Sequence, residues 1–143
     1  MLTQDEIREQ FMQRYHCSQV VIREWAEELG LDKDQASQLA APLGGGMFRG
    51  DTCGAVAGAM LVIGARYGHF QPNDVENDQI SQQKVKEFQD AFTARFGTTI
   101  CRELLHYDFS QPGEMMKAAQ AGVMMKQCPG YVEAALEILD DIM

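Results

Sequence analysis

Residues 53–65, near the middle of the chain, carry no charged side chain. A helix that is apolar on every side is buried over most of its surface. The segment is too short to cross a bilayer, which takes about 20 consecutive apolar residues. It therefore predicts a central core helix, against which the rest of the chain must pack.

Helical signals occur on both sides of this segment. Thr3 followed by Glu6 forms a capping-box pattern, and apolar residues recur every three or four positions along 85–96 and 132–143. No segment alternates convincingly between apolar and polar residues, as a half-buried strand would. We therefore predict an all-α fold: a single compact domain over residues 1–143, with about six to seven helices around the central apolar helix.

The amino-acid composition and net charge limit the kinds of molecule that the protein could bind. The 143 residues are 45% hydrophobic and 23% charged, which excludes intrinsic disorder. A formal net charge of -9 disfavours nucleic acid and anionic membrane surfaces, because both would repel the chain. No stretch is long and apolar enough for a transmembrane helix, and the first ten residues do not read as a signal peptide. We therefore expect a cytoplasmic protein, in a compartment where thiols are normally reduced.

Four cysteines are spread along the chain: Cys17, Cys53, Cys101 and Cys128. None of them forms a CxxC pair, which argues against a zinc ribbon, and no CxxCH segment is present for covalent haem. Four cysteines allow three disulfide pairings, and the sequence does not choose among them. Small buried hydrophobes are the alternative role for such residues.

All four cysteines fall at or near predicted helix N-termini. Cys128 is predicted to be an N-cap, because Pro129 suits the first position of a helix. Unpaired backbone N–H groups and the helix dipole favour a thiolate over a thiol at such positions. We therefore expect a lowered pKa and a reactive thiolate, above all at Cys53.

A glycine-rich loop, residues 44–50, precedes Cys53. It differs from a phosphate-binding loop because Asp51 stands where that motif needs a lysine, so we do not expect a nucleotide site. A carboxylate at Asp51 would raise the pKa of the Cys53 thiol, unless the helix cap or Arg49 neutralises its charge.

Two glycines, Gly54 and Gly58, lie one helical turn apart on one face of the predicted core helix. Because they lack side chains, a cofactor or another backbone can approach this face closely, next to Cys53. We predict that Gly54 and Gly58 contact a cofactor, with tight helix packing as an equally supported alternative.

These segments together resemble the C_GCAxxG_C_C family, which is described as redox-active and is named for its four cysteines. The segments that carry the resemblance are Cys17-Ser18-Gln19, Gly44-Gly45-Gly46, Cys53-Gly54-Ala55-Val56-Ala57-Gly58, Cys101-Arg102-Glu103-Leu104 and Cys128-Pro129. A similar domain occurs in split-Soret cytochromes c, but without a CxxCH segment covalent haem is not implied here. The resemblance implies that the four cysteines form the functional site.

The leading hypothesis is a redox-active protein, for instance a thiol-dependent oxidoreductase, in which pairs of cysteines cycle between dithiol and disulfide. A zinc or iron–sulfur site on the same four cysteines is the alternative, since four thiolates suit either. A helical interaction module with incidental cysteines is a third. We expect a redox partner protein or a small thiol as partner, with a homodimer left open and no cofactor assigned.

Overall fold

The computed structural model describes all of residues 1–143. The chain is 72% helical and contains no strand, so the all-α prediction is confirmed, although eight helices exceed the expected six to seven. The helices are α1 (Gln4–Met12), α2 (Cys17–Ala26), α3 (Lys33–Ala40), α4 (Gly54–Tyr67), α5 (Val75–Phe96), α6 (Cys101–Leu105), α7 (Glu114–Gln120) and α8 (Val123–Ile142). None of them is long and apolar enough to cross a membrane.

Helix α4 is the centre of the fold, as the uncharged segment predicts. It packs against α2, α5 and α8, and Val56, Val62 and Ile63 on it are fully buried. The predicted capping box also forms at the start of α1, where the Thr3 hydroxyl accepts from the Glu6 N–H at 3.2 Å. Burial of α4 therefore fixes where α2 and α8 lie, and these two helices carry Cys17 and Cys128.

The prediction of Cys128 as a helix N-cap is wrong. Helix α8 begins at Val123, after Gly122 in a left-handed conformation with a φ of 71°. Cys128 and Pro129 therefore lie inside a helix that continues to Ile142. A proline at this depth usually breaks a helix, because it removes one N–H donor from the helical hydrogen-bond pattern.

A side chain from α1 compensates for the missing donor. Pro129 leaves the carbonyl of Met125 without its helical partner, four residues earlier. The Arg8 Nε–H donates to that carbonyl oxygen at 3.0 Å. This contact satisfies the free carbonyl and holds α1 against α8.

The buried side chains form two clusters. The main core holds most of the buried apolar residues, including Cys53. The minor core consists of Cys101, Leu105, Phe109, Ala118 and Cys128. Cys17 and Tyr131 are partly buried and pack against both clusters. The four cysteines therefore lie where the main core meets the minor core.

Candidate functional site

The fold brings the four predicted cysteines to one region. Cys53, Cys101 and Cys128 are buried, whereas Cys17 is partly exposed. All four thiols are free, and no pair stands at disulfide-bonding distance. Cys17 and Cys101 are the first residues of α2 and α6, and Cys53 is the N-cap residue of α4. Three of the four predicted helix-start positions are therefore confirmed.

Cys17 packs against the minor core, which contains Cys128. A side-chain interaction with the Cys128 thiol, followed by burial, raises the pKa of the Cys17 thiol well above its usual value. Cys17 begins α2 and Cys128 lies within α8, so the contact joins two helices that both pack on α4. These two sulfurs are neighbours without being bonded.

Backbone hydrogen bonds, rather than a contact between side chains, link the segments that contain Cys53 and Cys101. The Cys53 N–H donates to the Thr99 carbonyl at 2.8 Å, and the Cys101 N–H donates to the Asp51 carbonyl at 2.6 Å. The residues just before the two cysteines form an isolated antiparallel bridge. In such a pairing Cys53 and Cys101 are diagonal neighbours, whose Cα atoms lie about 7–8 Å apart. That separation exceeds the usual disulfide range of about 4.4–6.8 Å.

Burial reverses the expected ionisation of Cys53. Removal from water, and then the Cys17 thiol nearby, raise the pKa of Cys53 to about 12. The N–H groups of Ala55 and Val56 lower it, as the helix-start argument predicts, but their effect is smaller. The expected low pKa is therefore wrong for Cys53, because desolvation of a thiolate outweighs the helix N-terminus.

The pKa of Cys101 is also raised by burial, but here the positive charge of Arg102 acts in the opposite direction. Burial, with the Cys53 and Cys17 thiols, raises its pKa to about 12, whereas the Arg102 guanidinium lowers it. Arg102 Nη1 also lies 2.9 Å from Asp51 Oδ1. The charge of Asp51 is thus paired with Arg102, and Arg49 is not the partner.

Tyr131 borders the cysteines, and the sequence interpretation missed it. Its hydroxyl lies 3.1 Å from Gln127 Oε1 and 3.4 Å from the Leu104 carbonyl oxygen. Burial, and then the thiols of Cys128, Cys53 and Cys101, raise the pKa of this phenol. Tyr131 follows Cys128 by three residues, so both lie on one side of α8. The spacing of three residues on a predicted helix was a signal that could have identified Tyr131.

The two glycines of α4 pack against α2. A Cβ on Gly58 would stand 2.7 Å from the Ser18 carbonyl oxygen, and one on Gly54 would stand 3.2 Å from the Cys17 Cβ. Tight helix packing, the alternative stated for these glycines, is thus what the structure contains. Contact with a cofactor at this face stays a prediction, and a cofactor would have to displace α2 to reach it.

The glycine-rich loop forms a left-handed turn. Gly45, Gly46, Met47 and Phe48 all have φ between 57° and 62°. The left-handed region costs a residue with a Cβ about 1–2 kcal/mol, so Met47 and Phe48 are strained. The Phe48 ring meets the ring of His16 edge-on, with 5.2 Å between centroids. The turn therefore lies beside Cys17, which follows His16 in the chain.

No group of three or more His, Cys, Asp or Glu side chains is arranged to hold a metal ion. A zinc or iron–sulfur site on Cys17, Cys53, Cys101 and Cys128 is therefore an alternative without structural support, and it stays a prediction.

Comparison with known proteins gives one result. A family model described as "Putative redox-active protein (C_GCAxxG_C_C)" matches residues 15–142, nearly the whole chain. Neither the curated proteins nor the solved structures yielded a match. The matched region includes all four cysteines, the left-handed turn and the glycines of α4. The chain belongs to the C_GCAxxG_C_C family.

Proposed function

We propose that this redox-active protein exchanges thiols and disulfides with a partner through Cys17 and Cys128. The packing of Cys17 against the minor core that contains Cys128 carries the proposal, and the effect of the Cys128 thiol on the Cys17 pKa agrees with it. Cys17 is the partly exposed member of the four, so it is the thiol that a partner reaches first. Cys128 lies behind it in the minor core, in the position of a resolving cysteine.

The proposed reaction consists of two successive thiol–disulfide exchange steps, in which atoms and electrons balance. The Cys17 thiol loses its proton to solvent as its sulfur attacks one sulfur of the partner's disulfide, and the other partner sulfur leaves as a thiolate and takes up a proton. Cys128, after losing its proton, attacks the Cys17 sulfur and releases the second partner thiolate. The protein loses two electrons and two protons, and the partner's disulfide gains them.

Cys53 and Cys101 have a supporting role in this proposal. Their backbones are tied together by two hydrogen bonds, of 2.8 and 2.6 Å. A Cys53–Cys101 disulfide would require this hydrogen-bonded pairing to be disrupted, so we expect the pair to stay reduced while Cys17 and Cys128 cycle.

Disulfide mapping tests the proposal. The reduced protein is titrated with glutathione disulfide and digested without reductant, and the cross-linked peptides are identified by mass spectrometry. We expect Cys17–Cys128 as the first intramolecular link. It should be absent from Cys17→Ser and Cys128→Ser but retained in Cys53→Ser, the matched control. A first link between Cys53 and Cys101, or none at all, would overturn the proposal.

Metal analysis tests the alternative site. We expect protein purified anaerobically to hold no stoichiometric zinc or iron. One metal ion or cluster per chain, lost when any one of the four cysteines is replaced by serine, would favour the metal site over thiol exchange.

A further inference from the structure

The surface beside Cys17 combines exposed apolar side chains with positive charge. We call it the entrance surface and define it by Arg14, His16, Met47, Phe48 and Arg49. All five residues are exposed, with 51% of Met47 and 41% of Phe48 accessible to solvent. Exposed aromatic and methionine side chains at the mouth of a site are typical of protein contact surfaces.

Contacts link these residues into one patch. The rings of His16 and Phe48 meet edge-on. The charge of Arg14 acts on His16, where it adds to burial in lowering the pKa of that imidazole. Arg49 follows Phe48 directly. Because His16 also precedes Cys17, the patch adjoins the one cysteine residue of the four that is partly exposed.

The patch is locally cationic on an acidic protein. Neither Arg14 nor Arg49 takes part in any of the ion pairs of the protein, whose net charge is -9. Two carboxylates lie near the patch. Asp51 is paired with Arg102, and Asp108 accepts from the Ser110 N–H at 3.0 Å and also interacts with the charges of Arg102 and Arg49. Three arginines, Arg14, Arg49 and Arg102, thus stand against two carboxylates, Asp51 and Asp108, which leaves an excess of positive charge in this region.

The strained backbone of Met47 and Phe48 indicates that their exposed apolar side chains have a functional role. Met47 and Phe48 have left-handed φ values of 57° and 58°, which glycine would adopt without strain. Both side chains are about half exposed, so burial offsets little of that cost. Strain of this kind persists most often at functional sites.

We propose that the entrance surface docks an acidic partner protein, which carries the disulfide or dithiol that exchanges with Cys17. The proposal rests on the proposed thiol exchange and names the chemistry of its partner. Met47 and Phe48 provide the apolar centre of the contact, and Arg14 and Arg49 provide its cationic rim. Rim charges of this kind mainly raise the rate of association and select the partner.

Two synthetic peptide disulfides test the docking. They are identical disulfide-linked dimers around one cysteine, except that four glutamates in one are four lysines in the other. Mass spectrometry follows the mixed disulfide at Cys17, at 0.1 M salt. At that ionic strength charges beyond about 10 Å are screened, so the local arginines decide the rate rather than the net charge. We expect the glutamate peptide to react about tenfold faster.

Charge reversal sharpens the test. The double variant Arg14→Glu with Arg49→Glu should remove or invert the preference. Lys33→Glu with Lys86→Glu changes the net charge equally at exposed positions outside the entrance surface, and it should keep the preference. At 1 M salt the two peptides should react alike in every variant, because screening then acts within about 3 Å.

The outcomes separate the two proposals. Equal rates at 0.1 M salt, or a faster lysine peptide, would overturn the docking while leaving thiol exchange intact. No mixed disulfide at Cys17 with either peptide would overturn thiol exchange itself.

Discussion

Two glycine-rich regions flank the cysteines, and each uses glycine for a different physical reason. On α4, Gly54 and Gly58 have helical backbones, and α2 approaches so closely that no Cβ fits on Gly58. In the loop before α4, Gly45 and Gly46 have left-handed backbones, with φ values of 57° and 62°. The first region needs the missing side chain, and the second needs the conformational freedom.

The two uses of glycine give the cysteine region two different sides: one is closed by the contact between α2 and α4, and the other is open to solvent at the left-handed turn. Contact between α2 and α4 fixes how far Cys17 stands from Cys53 and keeps water away from Cys53. The left-handed turn instead exposes Met47 and Phe48 next to Cys17. One glycine pattern thus keeps Cys53 buried, and the other places exposed apolar side chains beside the partly exposed residue Cys17.

The largest expected effect is on the closed side. Gly58→Leu should destabilise the fold by about 3 kcal/mol or more, because the added side chain meets the Ser18 backbone, which cannot move without α2. Urea denaturation measures the change. Gly64→Leu, on an open face of the same helix, is the matched control and should cost little. Equal midpoints for the two variants would show that α2 does not close this face.

Ionisation of Cys53 gives the next largest effect. With a pKa of about 12, Cys53 should hold several hundredfold less thiolate at pH 9 in the folded protein than in the urea-unfolded chain, and its alkylation should be slower by roughly that factor. A raised folded pKa also contributes stability that is complete below the unfolded pKa of about 8.5 and is lost as pH rises towards 12. The urea midpoint should therefore fall across that range. Alkylation at the free-thiol rate at pH 9 would show an open Cys53.

A smaller effect is expected in the left-handed turn. Gly46→Ala should destabilise the fold by about 1–3 kcal/mol, since the new Cβ would stand 2.3 Å from the Asp51 nitrogen at a φ of 62°. Gly113 has a similar φ of 78° but open space around it. The Gly113→Ala variant therefore measures the cost of the left-handed backbone alone, which should be about 1 kcal/mol. If Gly113→Ala costs as much as Gly46→Ala, steric contact adds nothing in the turn.

The smallest effect tests the strain on the open side. Met47→Gly should stabilise the fold by up to about 1 kcal/mol, because glycine relieves the left-handed backbone. Met116→Gly, on the exposed face of α7, should instead destabilise by about 1 kcal/mol through lost helix propensity. Thermal unfolding of both variants measures the signs. A destabilised Met47→Gly protein would mean that the side chain of Met47 stabilises the turn.

Local sequence patterns predicted most of the fold. The uncharged segment 53–65 predicted α4 and its burial, and spacing predicted helix starts near Cys17, Cys53 and Cys101. These features depend on periodicity and on capping, which act over a few residues. The family resemblance, carried by the cysteines and the glycines, was confirmed as well.

Features that depend on distant contacts were not predicted. Pro129 continues α8 because Arg8, far away in sequence, satisfies the Met125 carbonyl. The pKa of Cys53 rises because helices from other parts of the chain bury it, which outweighs the local helix-start effect. Tyr131 joins the site because the fold brings Cys53 and Cys101, from other helices, close to it as well as Cys128.

Pro129 also ties the cysteines to a part of the chain outside the family match. The match begins at residue 15, after α1 has ended. By removing one donor, Pro129 creates a vacant acceptor on the turn that leads to Cys128, and α1 supplies the guanidinium that fills it. Helix α1, which the family match does not include, therefore helps to hold in place the helix that carries Cys128.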